Sequence, residues 1–252
     1  PPRSTLFPYT TLFRSYLTAG DPDLRTTEDL AVAFEAAGVD VLELGIPYSD
    51  PMADGPAIQA AADRALAAGA SLAGVLAMVK RIRYRSQIPL LAFTYLSPVL
   101  AYGVERFARD AAAAGLDGVL PLDLPMEEDA GHGLAAACAR RGLSIVRLVA
   151  PNTVPARRRI LAGASSGFVY YVCRYGVTGE RARLPADLVR QVADVRRQAG
   201  GLPVCIGFGI QDRADLESAY EAADGAIIGT RAVAELERGI ECFRDFLRGL
   251  RA

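Results

Sequence analysis

The chain has 252 residues, of which 51% are hydrophobic and 23% are charged, and its formal net charge is −1 at neutral pH. This balance excludes the strongly basic surface that binds nucleic acid or an anionic membrane. Because the sequence holds one lysine, Lys80, and one histidine, His132, it offers little for Schiff-base chemistry, a His-ligated metal site or a Ser-His-Asp triad.

The first 15 residues do not share the pattern of the rest of the chain. Arg3–Phe7 is echoed in rearranged order by Thr11–Ser15, and neither stretch has a helical or strand period. We predict that residues 1–15 are a non-native leader. Residues 16–252 are predicted to form one domain, because no Pro/Ser-rich linker divides them.

From Tyr16 onward a strand-like run, a loop and an amphipathic helical stretch repeat eight times. The predicted strands are Tyr16–Thr18, Val39–Gly45, Leu90–Thr94, Gly118–Leu122, Ser144–Leu148, Phe168–Val172, Pro203–Gly207 and Gly225–Ile228. The predicted helices are Thr26–Ala37, Ala57–Arg83, Val104–Ala114, Glu127–Arg141, Pro155–Ala162, Pro185–Gln198, Arg213–Glu221 and Arg231–Leu250. Eight such units predict an α/β fold, a single (β/α)8 TIM barrel with apolar parallel strands covered by helices.

The four cysteines lie more than 30 residues apart and form no CxxC motif, which is typical of reduced thiols in an intracellular protein. No apolar run approaches the roughly 18 residues of a membrane-spanning helix. Lys80 and His132 are both expected at the surface. We therefore expect a cytoplasmic protein without a metal or cofactor, whose catalysis depends on carboxylates, tyrosines, arginines or backbone groups.

In such a barrel the C-terminal ends of the strands, and the loops after them, carry the chemistry. Alternation along Val39–Gly45 puts Leu42 and Leu44 on the helix-covered face and directs Glu43 into the barrel. Burial there is expected to raise the pKa of Glu43, which suits a general acid/base. The alternative is a structural glutamate satisfied by an ion pair or a hydroxyl.

The loop that follows this strand, residues 46–56, holds two acids and several prolines, more than a simple turn needs. Asp50 and Asp54 are candidates for function. Either of them, or Ser49, is also suited to capping the next helix.

Two glycine motifs predict a phosphate site. Gly207-Phe208-Gly209 follows the seventh strand and Gly229-Thr230 follows the eighth. Glycines let backbone N–H groups approach an anion, and a helix N-terminus adds partial positive charge. The loops after strands seven and eight are the usual phosphate site of these barrels. The Gly-rich segment 174–181 is a candidate lid.

Five aromatic residues lie in or beside the predicted strands: Tyr16, Phe93, Tyr95, Tyr170 and Tyr171. They are suited either to core packing or to lining a pocket for a flat apolar group. Because side chains alternate along a strand, only one of Tyr170 and Tyr171 faces inward.

The segment Leu42–Gly55, LELGIPYSDPMADG, resembles the signature of the tryptophan synthase alpha chain family. The similarity extends from about Tyr16 to Ala252, and the N-terminus departs from the family's opening helix and longer first strand. Further family-like segments are Tyr16–Pro22, Asp123–Pro125, Gly176–Gly179, Gly207–Ile210 and Gly229–Thr230. The resemblance implies a (β/α)8 barrel that cleaves indole-3-glycerol phosphate to indole and glyceraldehyde 3-phosphate.

Carried over residue by residue, the resemblance also implies the site. Glu43 would protonate indole C3 and assist C–C cleavage, Asp54 would handle the charge at the indole N–H, and Tyr171 would line the site beside them. Thr178 in the lid would contact Asp54. The phosphate would bind to Gly179, Gly209, Gly229 and Thr230, and the indole pocket would comprise Tyr16, Ile58, Phe93, Tyr95 and Leu120.

The resemblance further implies a partner, a pyridoxal-phosphate beta chain in an α2β2 assembly that receives indole through a tunnel. Pro47, Asp50 and Pro51 would face the beta chain.

Three alternative functions stay open. A sugar-phosphate epimerase would need metal-binding histidines that are missing, a purely regulatory subunit would not need Glu43, and a stand-alone indole-releasing lyase would be chemically identical.

Overall fold

Parallel strands close into a barrel in the computed structural model, which describes residues 12–173, 187–207 and 209–251. The strands are β1 (Leu12–Thr18), β2 (Val41–Gly45), β3 (Leu90–Thr94), β4 (Gly118–Pro121), β5 (Ser144–Ile145), β6 (Arg147–Val149), β7 (Val169–Val172), β8 (Val204–Gly207) and β9 (Gly225–Ile228). They pair in the order β5-β4-β3-β2-β1-β9-β8-β7-β6. Only Val146 separates β5 from β6, so these two short strands share the fifth position, and the predicted barrel is confirmed.

The first strand starts at Leu12, four residues before the predicted Tyr16. Residues from Leu12 to Ser15 pair with β9, and those from Arg14 to Thr18 pair with β2. The Arg14 side chain is buried in the barrel, with its guanidinium carbon 3.4 Å from the centroid of the Phe168 ring. Burial lowers the pKa of this guanidinium. That residues 1–15 are a leader stays a prediction.

Twelve helices lie in the described part of the chain and cover the barrel. They are α1 (Leu24–Ala36), α2 (Pro56–Ala67), α3 (Leu72–Ile82), α4 (Leu96–Tyr102), α5 (Val104–Ala114), α6 (Met126–His132), α7 (Leu134–Arg140), α8 (Pro155–Gly163), α9 (Leu188–Gln198), α10 (Arg213–Ala222), α11 (Thr230–Glu237) and α12 (Ile240–Arg251).

Three of the long helices predicted from the sequence are each two helices in the structure. Gly69, Gly133 and Gly239 stand at the breaks with φ angles of 83°, 73° and 122°, which an α-helix does not accommodate. The short helix α4 was not predicted. The predicted start of the sixth helix, Pro185, lies outside the described residues.

Two apolar clusters fill the space on either side of the strands. Leu42 and Leu44 belong to the outer cluster between strands and helices. Val41, Leu120 and Tyr170 belong to the inner cluster inside the barrel. The predicted alternation along β2 is therefore confirmed, and it places the intervening Glu43 on the inner side.

All four cysteines lie in described residues, three of them are buried, and none forms a disulfide bond. Within the described ranges, no single helix is long and apolar enough to cross a membrane. One pair, α2 with α3, meets the length and composition criteria together but is bent by 93°.

Candidate active site

A cavity of about 460 Å³ opens where the barrel strands end. Its walls combine two carboxyl groups, several apolar side chains and the backbone of two glycine loops. The described residues that line it are Tyr16, Glu43, Met52, Ala53, Asp54, Ile58, Phe93, Leu122, Leu148, Tyr170, Val172, Gly209, Ile210, Gln211, Ile227, Gly229, Thr230 and Arg231.

Glu43 enters this cavity from β2 and is 1% exposed. Its Oε1 is buried and has no hydrogen-bond partner among the described residues. Burial raises the pKa of Glu43 to about 8, and the positive charge of Arg14 opposes that rise. Near neutral pH the group is therefore mostly protonated, and a buried acid of this kind suits proton donation.

Asp54 enters from the loop after β2 and is 6% exposed. Burial raises its pKa to about 6, while a hydrogen bond from Tyr95 favours the charged form. Helix α2 is capped by Gly55 without a side-chain cap bond, and Ser49 donates to Asp50 instead. The helix-capping interpretation of these acids is therefore wrong, and Asp54 remains available to the cavity.

Tyr95 does not line the cavity but holds Asp54 in place. Its hydroxyl donates to Asp54 Oδ2 at 2.9 Å and accepts from the backbone N–H of Ala53 at 3.0 Å. Its ring packs against Tyr48, with centroids 5.3 Å apart. Tyr95 thus positions the aspartate, a different role from the wall of an indole pocket.

We expect Tyr95→Phe to raise the pKa of Asp54 above its present value of about 6, because the hydrogen bond that favours the carboxylate is lost. A carboxyl-carbon NMR titration measures this shift. Tyr48→Phe is the matched control, because it removes the hydroxyl of the ring that packs on Tyr95, and that hydroxyl makes no hydrogen bond to Asp54 in the described residues. An unchanged Asp54 titration in Tyr95→Phe would show that the hydroxyl has no such influence.

Tyr170, rather than the predicted Tyr171, lines the cavity. Tyr171 is fully buried on the other face of β7, in the outer cluster. Its hydroxyl donates to Gln191 Oε1 on α9. Because neighbouring side chains on a strand point in opposite directions, the assignment of Tyr171 to the site is corrected to Tyr170.

Two glycines make room for the tyrosines of the site. A Cβ at Gly207 would lie 2.0 Å from the Tyr170 hydroxyl oxygen, and a Cβ at Gly45 would lie 2.0 Å from that of Tyr16. Both distances are far below contact. The Tyr16 ring also meets Phe93 edge-on, with centroids 5.1 Å apart.

Gly207→Ala is expected to displace the Tyr170 ring and to lower the free energy of unfolding by about 1–3 kcal/mol, the usual cost of overpacking a core. Urea denaturation measures the loss. Gly249→Ala on α12, where an added Cβ meets nothing within 4 Å, serves as the control and should not destabilise the protein. Since Tyr170→Ala empties the contested space, the double variant should lose less than the sum of its two single changes.

The glycine loops form another part of the cavity wall. Gly209 has a φ of 82°, and Gly229 caps α11 without a side-chain cap bond. The first N–H groups of a helix have no partner within it, and here that helix begins at Thr230 on the cavity wall. Gly209, Gly229 and Thr230 therefore lie together, as the sequence predicts, while Gly179 and Thr178 lie outside the described residues.

Of the predicted indole pocket, Tyr16, Ile58 and Phe93 line the cavity. Leu120 does not, because it is fully buried in the inner cluster below. Leu122, two residues later on the same side, takes that place. Alternation along a strand identifies the inward face but not the depth at which the cavity begins. Three further wall residues were missed for this reason: Leu148, Val172 and Ile227.

The loop after β2 forms one lip of the cavity. Pro47 is buried, Pro51 is half-buried and Asp50 is exposed, while Met52 at the cavity edge is 85% exposed. The predicted surface positions of Lys80 and His132 are confirmed.

Comparison with known proteins agrees with this architecture. Residues 8–248 match the sequence model of the family described as tryptophan synthase alpha chain. The chain is 47% identical to the tryptophan synthase alpha chain of Geotalea daltonii, with 89% of this chain and 84% of that relative aligned. It is 46% identical to that of Geobacter sulfurreducens, over 93% and 90%.

Solved structures give the same result. Tryptophan synthase of Mycobacterium tuberculosis superposes with a TM-score of 0.88 at 35% identity, covering 96% of this chain and 91% of that one. A mutant tryptophan synthase alpha-subunit of Pyrococcus furiosus gives 0.86 at 33% identity, over 95% and 97%. The barrel, the acid-bearing cavity and these similarities together establish that the chain belongs to the tryptophan synthase alpha chain family.

Proposed function

We propose that this chain cleaves indole-3-glycerol phosphate to indole and glyceraldehyde 3-phosphate, with Glu43 as general acid/base. The observation that carries this proposal is the buried carboxyl of Glu43, whose Oε1 has no partner among the described residues and whose raised pKa favours the protonated form. Membership of the family indicates the reaction, and the cavity contains groups suited to that reaction.

The two carboxyl groups divide the work of the cleavage. Glu43 donates its proton to C3 of the indole ring, and the positive charge that develops on the ring nitrogen is met by the carboxylate of Asp54. The bond from C3 to the glycerol chain then breaks, and its electrons return to the ring. The carboxylate of Glu43 takes the proton of the adjacent glycerol hydroxyl as the aldehyde forms, which restores the acid.

This chemistry needs neither a Schiff base nor a metal, because protonated indole is itself the electron sink. General acid/base catalysis of this kind is worth about 10²–10⁴-fold. The separated pKa values of Glu43 (about 8) and Asp54 (about 6) keep one carboxyl protonated and the other ionised between those two pH values. That is the combination that the step requires.

The rest of the cavity suits the two ends of the substrate. We assign the indole ring to the apolar wall formed by Phe93, Leu122 and Ile58, and the phosphate to the backbone of Gly209, Gly229 and Thr230. A bound phosphate fixes the position of the scissile bond relative to Glu43. We include Gly179 and the lid residue Thr178 in this proposal on the resemblance alone.

We further propose that the chain works with a beta chain in an α2β2 assembly and that it is cytoplasmic. The lip formed by Pro47, Asp50 and Pro51 is the proposed contact, and four cysteines without a disulfide bond suit a reducing compartment. A stand-alone lyase would carry out the same cleavage without this contact.

The decisive experiment is an indole-release assay on indole-3-glycerol phosphate with and without a beta chain. We expect indole release that rises when the beta chain is added, together with a complex on a sizing column. Release without any response or complex would favour the stand-alone lyase, and no release under either condition would refute the proposed reaction.

A further inference from the structure

One basic residue, Arg231, lines the cavity among the residues the structure describes. It immediately follows Thr230 in the first turn of α11, so it lies at the end of the cavity assigned to the phosphate. The neighbouring Gly209 and Gly229 contribute only backbone to that wall. Arg231 is thus the one cationic residue that the described wall offers near the proposed phosphate position.

The guanidinium of Arg231 is only partly engaged in this structure. Its Nη2 lies 2.5 Å from Glu235 Oε1, and the side chain is 36% exposed. Its carbon lies 5.4 Å from the centroid of the Phe246 ring. The Nε is buried and has no hydrogen-bond partner among the described residues. Some of its five N–H donors therefore remain available for a ligand.

Glu235 does not depend on Arg231 for its neutralisation. This carboxylate is 5% exposed, and leaving a buried charge unpaired would be strongly unfavourable. Arg238 Nη1, however, lies 3.0 and 2.8 Å from its two oxygens. Arg231 can consequently leave Glu235 while the carboxylate keeps a cationic partner.

We propose that Arg231 is a further substrate-binding residue that moves from Glu235 to the phosphate of the substrate. The proposal rests on the phosphate site of the proposed function and adds a residue that the sequence did not single out. Guanidinium groups match phosphate oxygens in geometry and charge, whereas a helix N-terminus supplies only about half a charge. Arg231 would thus select phosphorylated substrates over their phosphate-free counterparts.

The negative charges expected in the cavity explain why a cation at Arg231 would favour substrate binding. A phosphate dianion that enters beside the carboxylate of Asp54 is repelled in a space with little water to screen it. A cation beside the glycine loops offsets that repulsion and holds the phosphate there. Because Arg231 lies at the phosphate end, its effect should fall on binding rather than on the chemical step.

Calorimetric titration of the full chain tests the proposal, in a Glu43→Gln background that does not cleave the ligands, with glycerol 3-phosphate, indole-3-glycerol phosphate and phosphate-free indole-3-glycerol. In Arg231→Gln we expect Kd for both phosphorylated ligands to rise about tenfold, as for the loss of one charge-assisted bond. Kd for indole-3-glycerol should change less than about twofold, and so should kcat measured in the chain that keeps Glu43. Arg231→Lys, which keeps the charge, should retain part of the affinity.

Arg213→Gln is the matched control. Arg213 also begins a helix and pairs with a glutamate four residues later, Glu217, at 2.7 Å, but it does not line the cavity. Its replacement should leave all three Kd values unchanged, so any general effect of losing such a pair is subtracted.

Two outcomes would overturn the assignment of Arg231: unchanged Kd values for the phosphorylated ligands, or an equal loss for indole-3-glycerol, which would indicate a structural role. Failure of the proposed function is distinguishable from either. In that case the unmodified chain would release no indole, while the effect of Arg231→Gln on glycerol 3-phosphate binding would still be measured.

Discussion

Glu43→Gln is expected to lower the rate of indole formation by about 10²–10⁴-fold, the range for loss of a general acid/base. Glutamine has nearly the same shape but no proton to donate to indole C3, and it cannot accept one from the glycerol hydroxyl. The effect should fall on kcat, while the binding of glycerol 3-phosphate, which we assign to the glycine loops, should be unchanged. Single-turnover kinetics on indole-3-glycerol phosphate measure the chemical step directly.

Glu28→Gln provides the control for this experiment. Glu28 is also a buried glutamate, but it lies on α1, where it pairs with Arg81 at 2.6 Å. Its replacement should leave turnover unchanged. Near-normal turnover in Glu43→Gln, with the fold intact, would refute the assignment of Glu43 as the acid/base.

The barrel was predictable from sequence because strand and helix periods alternate eight times along the chain. The breaks within its helices were less predictable from sequence. Gly69, Gly133 and Gly239 break stretches whose apolar spacing continues across the break, and a glycine within a helical pattern does not by itself reveal a positive φ. The early start of β1 was missed because the echoed composition of residues 1–15 set them aside as a leader, yet Arg14 and Ser15 lie between two strands that pair with them.

Within the site, the sequence predicted which side chains face the barrel interior better than it predicted how far along each strand the cavity begins. Alternation placed Glu43 inward correctly, because the leucines on either side of it define the outer face. At Tyr170 and Tyr171 the two candidates are the same residue type, so composition offers no choice between faces. The hydrogen bond from Tyr171 to Gln191 comes from a helix 20 residues later, and no local pattern predicts it.

Arg231 is a residue whose proposed role could not be predicted from the sequence. Its sequence neighbours predict a helix start and a phosphate loop, and its spacing from Glu235 is typical of a solvated i,i+4 pair. What sets it apart is the combination of a buried Nε, a place on the cavity wall and a glutamate that Arg238 also neutralises. These are tertiary features, which sequence spacing alone does not reveal.

Glu43→Gln should also stabilise the protein at neutral and higher pH. The pKa of Glu43 rises from 4.5 to about 8 in the folded chain, so the folded state keeps a proton that the unfolded state has lost. The stability associated with this group is therefore fully present below pH 4.5 and falls as the pH rises towards 8. At 1.36 kcal/mol for each unit of pKa, the loss reaches about 3 kcal/mol at pH 7.

Glutamine does not titrate, so the free energy of unfolding of Glu43→Gln does not fall in this way as the pH rises. We expect the free energies of unfolding of the two proteins to be similar at pH 4.5 and to diverge up to pH 8, with Glu43→Gln the more stable. The contribution of Asp54, whose pKa is raised to about 6, has the same sign but is present in both proteins and cancels. Urea denaturation at several pH values measures the difference, with Glu28→Gln expected to show no such gain. Parallel stability curves for Glu43→Gln and the unmodified chain would mean that Glu43 is ionised in the folded state, and a carboxylate could not serve as the proton donor to indole.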